Sequence, residues 1–520
     1  MSKTRRLIEV GCMSALSLVP ATTALADLFD DIGYTALVAR LGVRNVPTGA
    51  GYGVGQVEAQ ESAGNYGPDV NNADFAGTIF SAQTGAFGLS GHATTVGLNL
   101  YGNTASIAPG ITNVFIWEAG SWATTSYLKT NQGATPPSLP PAGMRIFNHS
   151  WIGSFGDSFL DNNALRRFDF AIQRDNLVAV LGTNNGAGSP PSALLAYGYN
   201  GITVGLENGN HCNAVTPANL DGQNRRKPEI VAPGSFTSFS TPIVGAAAAL
   251  LLSTTDVDPG LAANPNADKS IVIKSVLLAG AKHRESWSNG AATNGPSRGS
   301  TMTPLDPVYG ADLVNVDRSH FILTSQEKNG ATSVPSTTNV KGSGWDFITS
   351  IASNTSVYYR FKTFEPVDEI SILATWNRSV ASSFGSFTMM DIDLTLWKVD
   401  ASGALSSLVG DPGLAVYGSG NVSSTSSVDN IEHLYLRDVA AGEYVLEVKR
   451  KTGVQTSLPV AVSWYVPKTT LFGDLNGDDL VDAGDLGILL GSWATPGPGD
   501  LSGDGNVDAA DIALLLGAWS

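Results

Sequence analysis

The sequence predicts a multidomain chain: an α/β domain with a parallel sheet flanked by helices, then a β-sandwich, then a small α-helical module. Three observations predict it. Over residues 27–325, short β-branched runs such as 177–181 and 202–204 alternate with Ala/Leu-rich stretches. Over 343–466 the apolar period becomes two: Ile370, Ile372, Ala374 and Trp376, then Ile392, Leu394 and Leu396, then Tyr444, Leu446 and Val448. Over 470–520 one acidic loop occurs twice, each copy followed by an apolar run.

In chain order, residues 1–26 read as a signal peptide, with Lys3, Arg5 and Arg6 ahead of a modest apolar stretch and Ala24-Leu25-Ala26 at its end. Its removal leaves Cys212 as the remaining cysteine, so no disulfide framework is expected. In the α/β domain, helices are expected at 242–252 and at 271–281, where Val272, Ile273, Val276 and Leu277 follow a 3–4 spacing. A polar stretch, 326–342, reads as the linker to the sandwich. No other apolar run is long enough for a membrane span, which needs about 20 residues. The formal net charge is −16 and no basic patch occurs, which argues against a nucleic-acid partner.

The repeated loops explain part of that acidity. They begin at Asp474 and Asp500, and 12 of the 20 positions from each Asp to Trp493 and Trp519 are identical. Oxygen-bearing side chains fall at loop positions 1, 3, 5, 9 and 12. That spacing wraps a hard cation, so two calcium sites are expected. One would use Asp474, Asn476, Asp478, Asp482 and Asp485; the other Asp500, Ser502, Asp504, Asp508 and Asp511. The repeat resembles a type I dockerin. That resemblance implies a secreted or surface-attached protein docked to a cohesin-like or cell-surface scaffold partner. Positions 10 and 11, often hydroxylic in that family, are here Ala483-Gly484 and Ala509-Ala510.

Four segments of the α/β domain carry candidate chemistry. They are GVGQVE (residues 53–58), SGHATTV (90–96), VAVLGTNNG (178–186), and KPEIVAPGSFTSFSTP (227–242), which runs into a small-residue helix. Together they resemble the subtilisin-like serine proteases (subtilases). The resemblance implies Ser238 as nucleophile, His92 as its base, Glu58 as the acid that orients His92, and Asn184 as oxyanion donor. It also implies Ser150, Trp151 and Ile152 as the edge strand that pairs with an extended polypeptide substrate. Each residue type suits its task. A serine needs a base before it attacks, and a histidine is the near-neutral group that can serve. A carboxylate fixes the imidazole tautomer.

Departures from the family pattern leave two functions open. Glu58 stands where the family has Asp, Phe236 and Ile152 stand where it has Gly, and the stretch before Ser238 is shortened. One reading is a secreted serine endopeptidase. The other is a catalytically degenerate peptidase fold that acts as an extracellular binding or scaffold protein. Glu61 and Asp69 are alternatives to Glu58 as the acid.

Overall fold

Unbroken apolar strands are the local cause of the first sheet. The computed structural model describes residues 27–188, 191–410, 416–453, 456–467, 471–477 and 480–519; the expected signal peptide and Asp478 lie outside them. Seven strands form one sheet: β1 (Gly53–Glu58), β2 (Ile79–Ala82), β3 (Asn113–Glu118), β4 (Met144–His149), β5 (Val178–Gly182), β6 (Ile202–Leu206) and β7 (Ile230–Ala232). Their order is β7-β6-β5-β4-β1-β3-β2, with every neighbouring pair parallel. Strands β1, β5 and β6 are buried along their whole lengths, as central parallel strands covered on both faces must be, and the short edge strand β7 is buried too.

Side chains alternate between the two faces. Val178 and Val180 join a core that includes α1 (Gly91–Tyr101), α3 (Thr237–Val257) and α4 (Ser270–Ala279). Ala179 and Leu181 join the opposite core with Trp117, Trp122 and Phe147, closed by α2 (Ser158–Asp175). Helix α3 is long and apolar enough to cross a membrane by length and composition. Its apolar window is 89% buried inside the protein, so it serves here as a core helix.

Residues beyond 343 form two mostly antiparallel sheets, which suits the half-buried alternation of their strands. One joins β8 (Gly344–Ile348), β14 (Val460–Tyr465), β10 (Val367–Trp376), β12 (Ile431–Val439) and the short strand Ser419–Gly420. The other contains β9 (Ser356–Thr363), β11 (Ile392–Val399) and β13 (Gly442–Arg450). Ile370, Ile372, Ala374 and Trp376 face Leu394, Leu396, Leu446 and Val448 in the core between them.

The outer face of the first of these sheets is also apolar. Trp345, Leu373, Ile431 and Ala461 belong to the core that includes α3 and α4. All ten residues of α4 are buried, because the helix lies between the parallel sheet and this second sheet. A helix covered on all sides has no use for a polar stripe. Ser300–Thr301, which precedes the linker, pairs in parallel with Ser423–Ser424 at the edge of the other sheet. Residues 326–342 run along both sheets: Glu327 bridges to Trp345 and Ala331 to Tyr358.

In the tail, α5 (Ala483–Gly491) and α6 (Ala509–Gly517) follow the two loops. Val481 and Leu489 pack with their repeat counterparts Val507 and Leu515. Each helix opens with a capping box, Asp482 with Asp485 and Asp508 with Asp511.

Candidate active site

The carboxyl end of β1 delivers Glu58 to the interior, where it is 0% exposed. Helix α1 begins beside it, with the Ser90 hydroxyl accepting the Ala93 N–H at 3.1 Å as a cap. His92 is the second residue of that helix. Its Nδ1 lies 2.9 Å from Glu58 Oε2, and its side chain keeps 17% exposure. Burial by itself would push the imidazole pKa down. The charge and hydrogen bond of Glu58, with a smaller contribution from Glu61, outweigh burial and hold the pKa above the usual 6.5.

The alternatives to Glu58 sit elsewhere. Glu61 Oε2 accepts the Gly91 N–H at 2.8 Å, at the amino end of α1 where a negative charge is favoured. Asp69 accepts the Asn71 N–H within its own turn.

Ser238 is the second residue of α3. Its hydroxyl donates to the Ser150 carbonyl at 3.3 Å, and the Ser150 hydroxyl donates to the Ser238 carbonyl at 2.8 Å. Asn148 Nδ2 donates in turn to Ser150 Oγ at 3.0 Å. The serine is thereby strapped to the chain leaving β4. Among the described residues no hydrogen bond joins Ser238 to His92, although both line one cleft with Ser150, Ile152, Asn184 and Phe236. Such contacts are often loose without substrate and tighten when it binds.

Asn184 follows β5. Its Oδ1 accepts the Ser192 N–H at 2.7 Å, and its Nδ2 lies 3.3 Å from Ser192 Oγ. The Asn184 carbonyl accepts the N–H of buried Cys212 at 2.8 Å. Trp151 borders the cleft, but its indole is 5% exposed and donates to His149 Nδ1 at 3.1 Å. Its ring thus belongs to the core beneath the cleft; Ser150 is as deeply buried, and Ile152 is the more open member of that segment.

Three further residues were not singled out by sequence reasoning. Asn185 Oδ1 accepts the Thr237 N–H at 2.8 Å and so ties the start of α3 to the loop after β5. Phe239 lies with its ring centroid 5.7 Å from that of His92 and 5.9 Å from that of Phe236, which builds an aromatic wall beside the base. Gln56 contacts Glu58 from within β1. Asn185 adjoins a residue already chosen, so its spacing offered a signal. Phe239 and Gln56 read as ordinary core positions.

This arrangement can move a proton from a serine to a histidine whose other ring nitrogen is held by a buried carboxylate. Comparison with known proteins agrees on the class of domain. Residues 73–298 match the model of the subtilase family. The match takes in His92, Asn184 and Ser238 and begins after Glu58. No curated protein matches the chain. A subtilase domain supports a serine peptidase and implies a polypeptide substrate.

The tail loops are a separate candidate site. Asp485 accepts the N–H groups of Leu475 (2.7 Å), Asn476 (3.0 Å) and Asp482 (2.8 Å). Asp511 accepts those of Ser502 (2.8 Å) and Asp508 (2.7 Å). Asp474 accepts from Gly477, and Asp500 from Gly503, Asp504 and Gly505. Among the described residues no group of three or more His, Cys, Asp or Glu side chains converges on one point as a metal site. The donor set is all oxygen, which fits a hard cation rather than zinc or copper.

Proposed function

We propose that the chain is a secreted serine endopeptidase whose nucleophile is Ser238. His92 takes the Ser238 hydroxyl proton as the serine oxygen bonds to the substrate carbonyl carbon. It then gives that proton to the departing amine, leaving an acyl-enzyme that water hydrolyses by the same route. Glu58 holds the imidazole with Nδ1–H directed at itself and stabilises the charged form. Asn184 donates to the oxyanion once substrate draws its amide from Ser192. Ser150 and Ile152 offer backbone groups to an extended peptide, and the Phe236–Phe239 wall with Ile152 favours small or slender side chains next to the cut bond. The observation that carries this reading is the buried Glu58 carboxylate 2.9 Å from His92 in the cleft that also holds Ser238.

A second reading, a degenerate peptidase fold that binds without cutting, is favoured by the Ser238 hydroxyl engaging Ser150 rather than His92. Covalent labelling by a fluorophosphonate probe, with Ser238→Ala beside the native chain, separates the two. Labelling of the native chain alone supports the peptidase. A folded but unlabelled native chain sinks it.

The tail is proposed to bind two calcium ions through Asp474, Asn476, Asp478, Asp482 and Asp485 and through Asp500, Ser502, Asp504, Asp508 and Asp511. Bound calcium would supply charge neutralisation and order to the loops. The matched polar pattern of the two loops supports this. Leu490, Trp493, Leu516 and Trp519 are about half exposed at equivalent repeat positions, which supports docking to a scaffold partner. Calorimetric titration with calcium should show two sites per chain, and no heat would end the calcium proposal. Secretion follows from the expected signal peptide, and the amino terminus of protein recovered from the medium tests it.

A further inference from the structure

Glu58 is a fully buried carboxylate with one more rotatable bond than aspartate, so something must fix both of its oxygens. His92 satisfies Oε2. The other oxygen is met from within the same strand. Gln56 lies two residues before Glu58, on the same face of β1, and is 0% exposed. Its Nε2 donates to Glu58 Oε1 at 2.8 Å and to the Ala93 carbonyl at 2.8 Å. Its Oε1 accepts the hydroxyl of Tyr101, also 0% exposed, at 2.6 Å. Both neighbours of Nε2 are acceptors and the neighbour of Oε1 is a donor, so only one orientation of the amide satisfies all three contacts. Ala93 follows His92 on α1, and Tyr101 ends that helix. Gln56 therefore joins the acid to both ends of the helix that carries the base.

We propose that Gln56 is a positioning residue for the acid–base pair: its amide clamps the Glu58 carboxylate with Oε2 toward His92, and Tyr101 locks the amide. This rests on the peptidase reading of that pair. It also gives a physical reason why a glutamate can stand where the family has aspartate. The longer side chain has freedom that a buried donor removes, and leaving Glu58 Oε1 without a donor in the core would be costly. The charged and polar groups facing the pair are Glu61, Gln56 and Tyr101; Phe239 covers His92 on the cleft side.

The test uses the full chain with Gln56→Met, Glu58→Gln and the double variant. Two readouts are followed: the fluorophosphonate labelling rate, and the low-field proton resonance of His92 Nδ1–H by NMR. Gln56→Met should slow labelling about 10- to 100-fold, the size of a lost hydrogen bond to a charged group. Peptide KM should barely change, and the His92 resonance should shift or broaden. In the Glu58→Gln background the same change should cost nothing further, because its effect passes through Glu58. A folded Gln56→Met chain with native labelling and resonance overturns the proposal, as do costs that simply add. If Gln56→Met does not fold, near-isosteric Gln56→Glu replaces it. Two adjacent carboxyls share a proton, so the pH profile of the resonance should gain a step, and a native profile overturns the proposal. If the native chain is not labelled at all, the peptidase reading falls, while the resonance still decides whether Gln56 holds the pair.

Discussion

Two buried ionic clusters in the α/β domain resemble each other in composition and differ in where they end. In one, Glu58 meets His92, and the histidine keeps 17% side-chain exposure on the cleft. In the other, Glu229 Oε1 meets Lys227 at 2.7 Å and Lys274 at 3.2 Å, with the three side chains at most 2% exposed. That second cluster is closed. Glu229 Oε2 accepts the Thr203 N–H at 3.0 Å. Lys227 reaches the Gly198 carbonyl at 3.0 Å, and Lys274 those of Tyr199 (3.0 Å) and Gly201 (2.7 Å). Burial pulls the Lys227 pKa down to about 8 against the pull of Glu229. A shifted pKa thus occurs in both clusters, at His92 and at Lys227, yet only one opens on a cleft with a nucleophile. A shifted pKa records burial and neighbouring charge; access decides whether the group can do chemistry.

Substitution should split the two. The largest effect expected is from Glu58→Gln, which keeps shape but loses the charge that orients His92. It should lower kcat/KM about 10⁴-fold with little loss of stability. Glu229→Gln should do the reverse. It leaves two buried lysines without a counter-charge and should destabilise the fold by about 3–5 kcal/mol, read as a lower Tm. Labelling per folded molecule should stay native, and a loss of labelling there would break the contrast. Asn184→Ala should reduce kcat about 10²- to 10³-fold and leave KM nearly unchanged. An unchanged kcat would assign the oxyanion contact to other donors.

The smallest effect is a shift of pH profile. His92 must be neutral to accept the serine proton, so kcat/KM rises as pH climbs past its folded pKa. Because Glu58 and Glu61 hold that pKa above 6.5, the acid-limb midpoint should lie above 6.5. Glu58→Gln removes the larger of these two contributions and should move the midpoint of the residual activity down. A midpoint at or below 6.5 in the native chain would mean that burial dominates at His92.

Much of the candidate site was legible because its signals are local. Glu58 ends an apolar strand, His92 follows a Ser cap, and Ser238 stands at the start of a helix of small residues. Each can be read within a few positions. Gln56, Phe239 and Asn185 escaped because their roles depend on partners far along the chain: Tyr101 is 45 residues from Gln56, and Thr237 is 52 from Asn185. A buried glutamine in a strand or a phenylalanine in a helix looks the same whether it packs or positions. Trp151 lies in the segment expected at the cleft and borders it, while its side chain also packs into the core, a division that no short window of sequence shows.

The sequence by itself determined what spacing can encode: the order of strands and helices, the change of apolar period near 343, and the paired oxygen-rich loops. Periods of 2 and 3.6 and the reach of a 12-residue loop are properties of the nearby backbone. Only the tertiary structure decided how the sheets share material. It placed α4 between two sheets, carried Ser300–Thr301 into the sandwich, and joined the hydroxyls of Ser275 and Ser463 in a 2.6 Å hydrogen bond across that junction. It also brought the expected Glu58 to His92 and set Glu61 on the Gly91 N–H instead. Those outcomes depend on which distant surfaces exclude water from one another, and no short window of sequence contains both sides of such a contact.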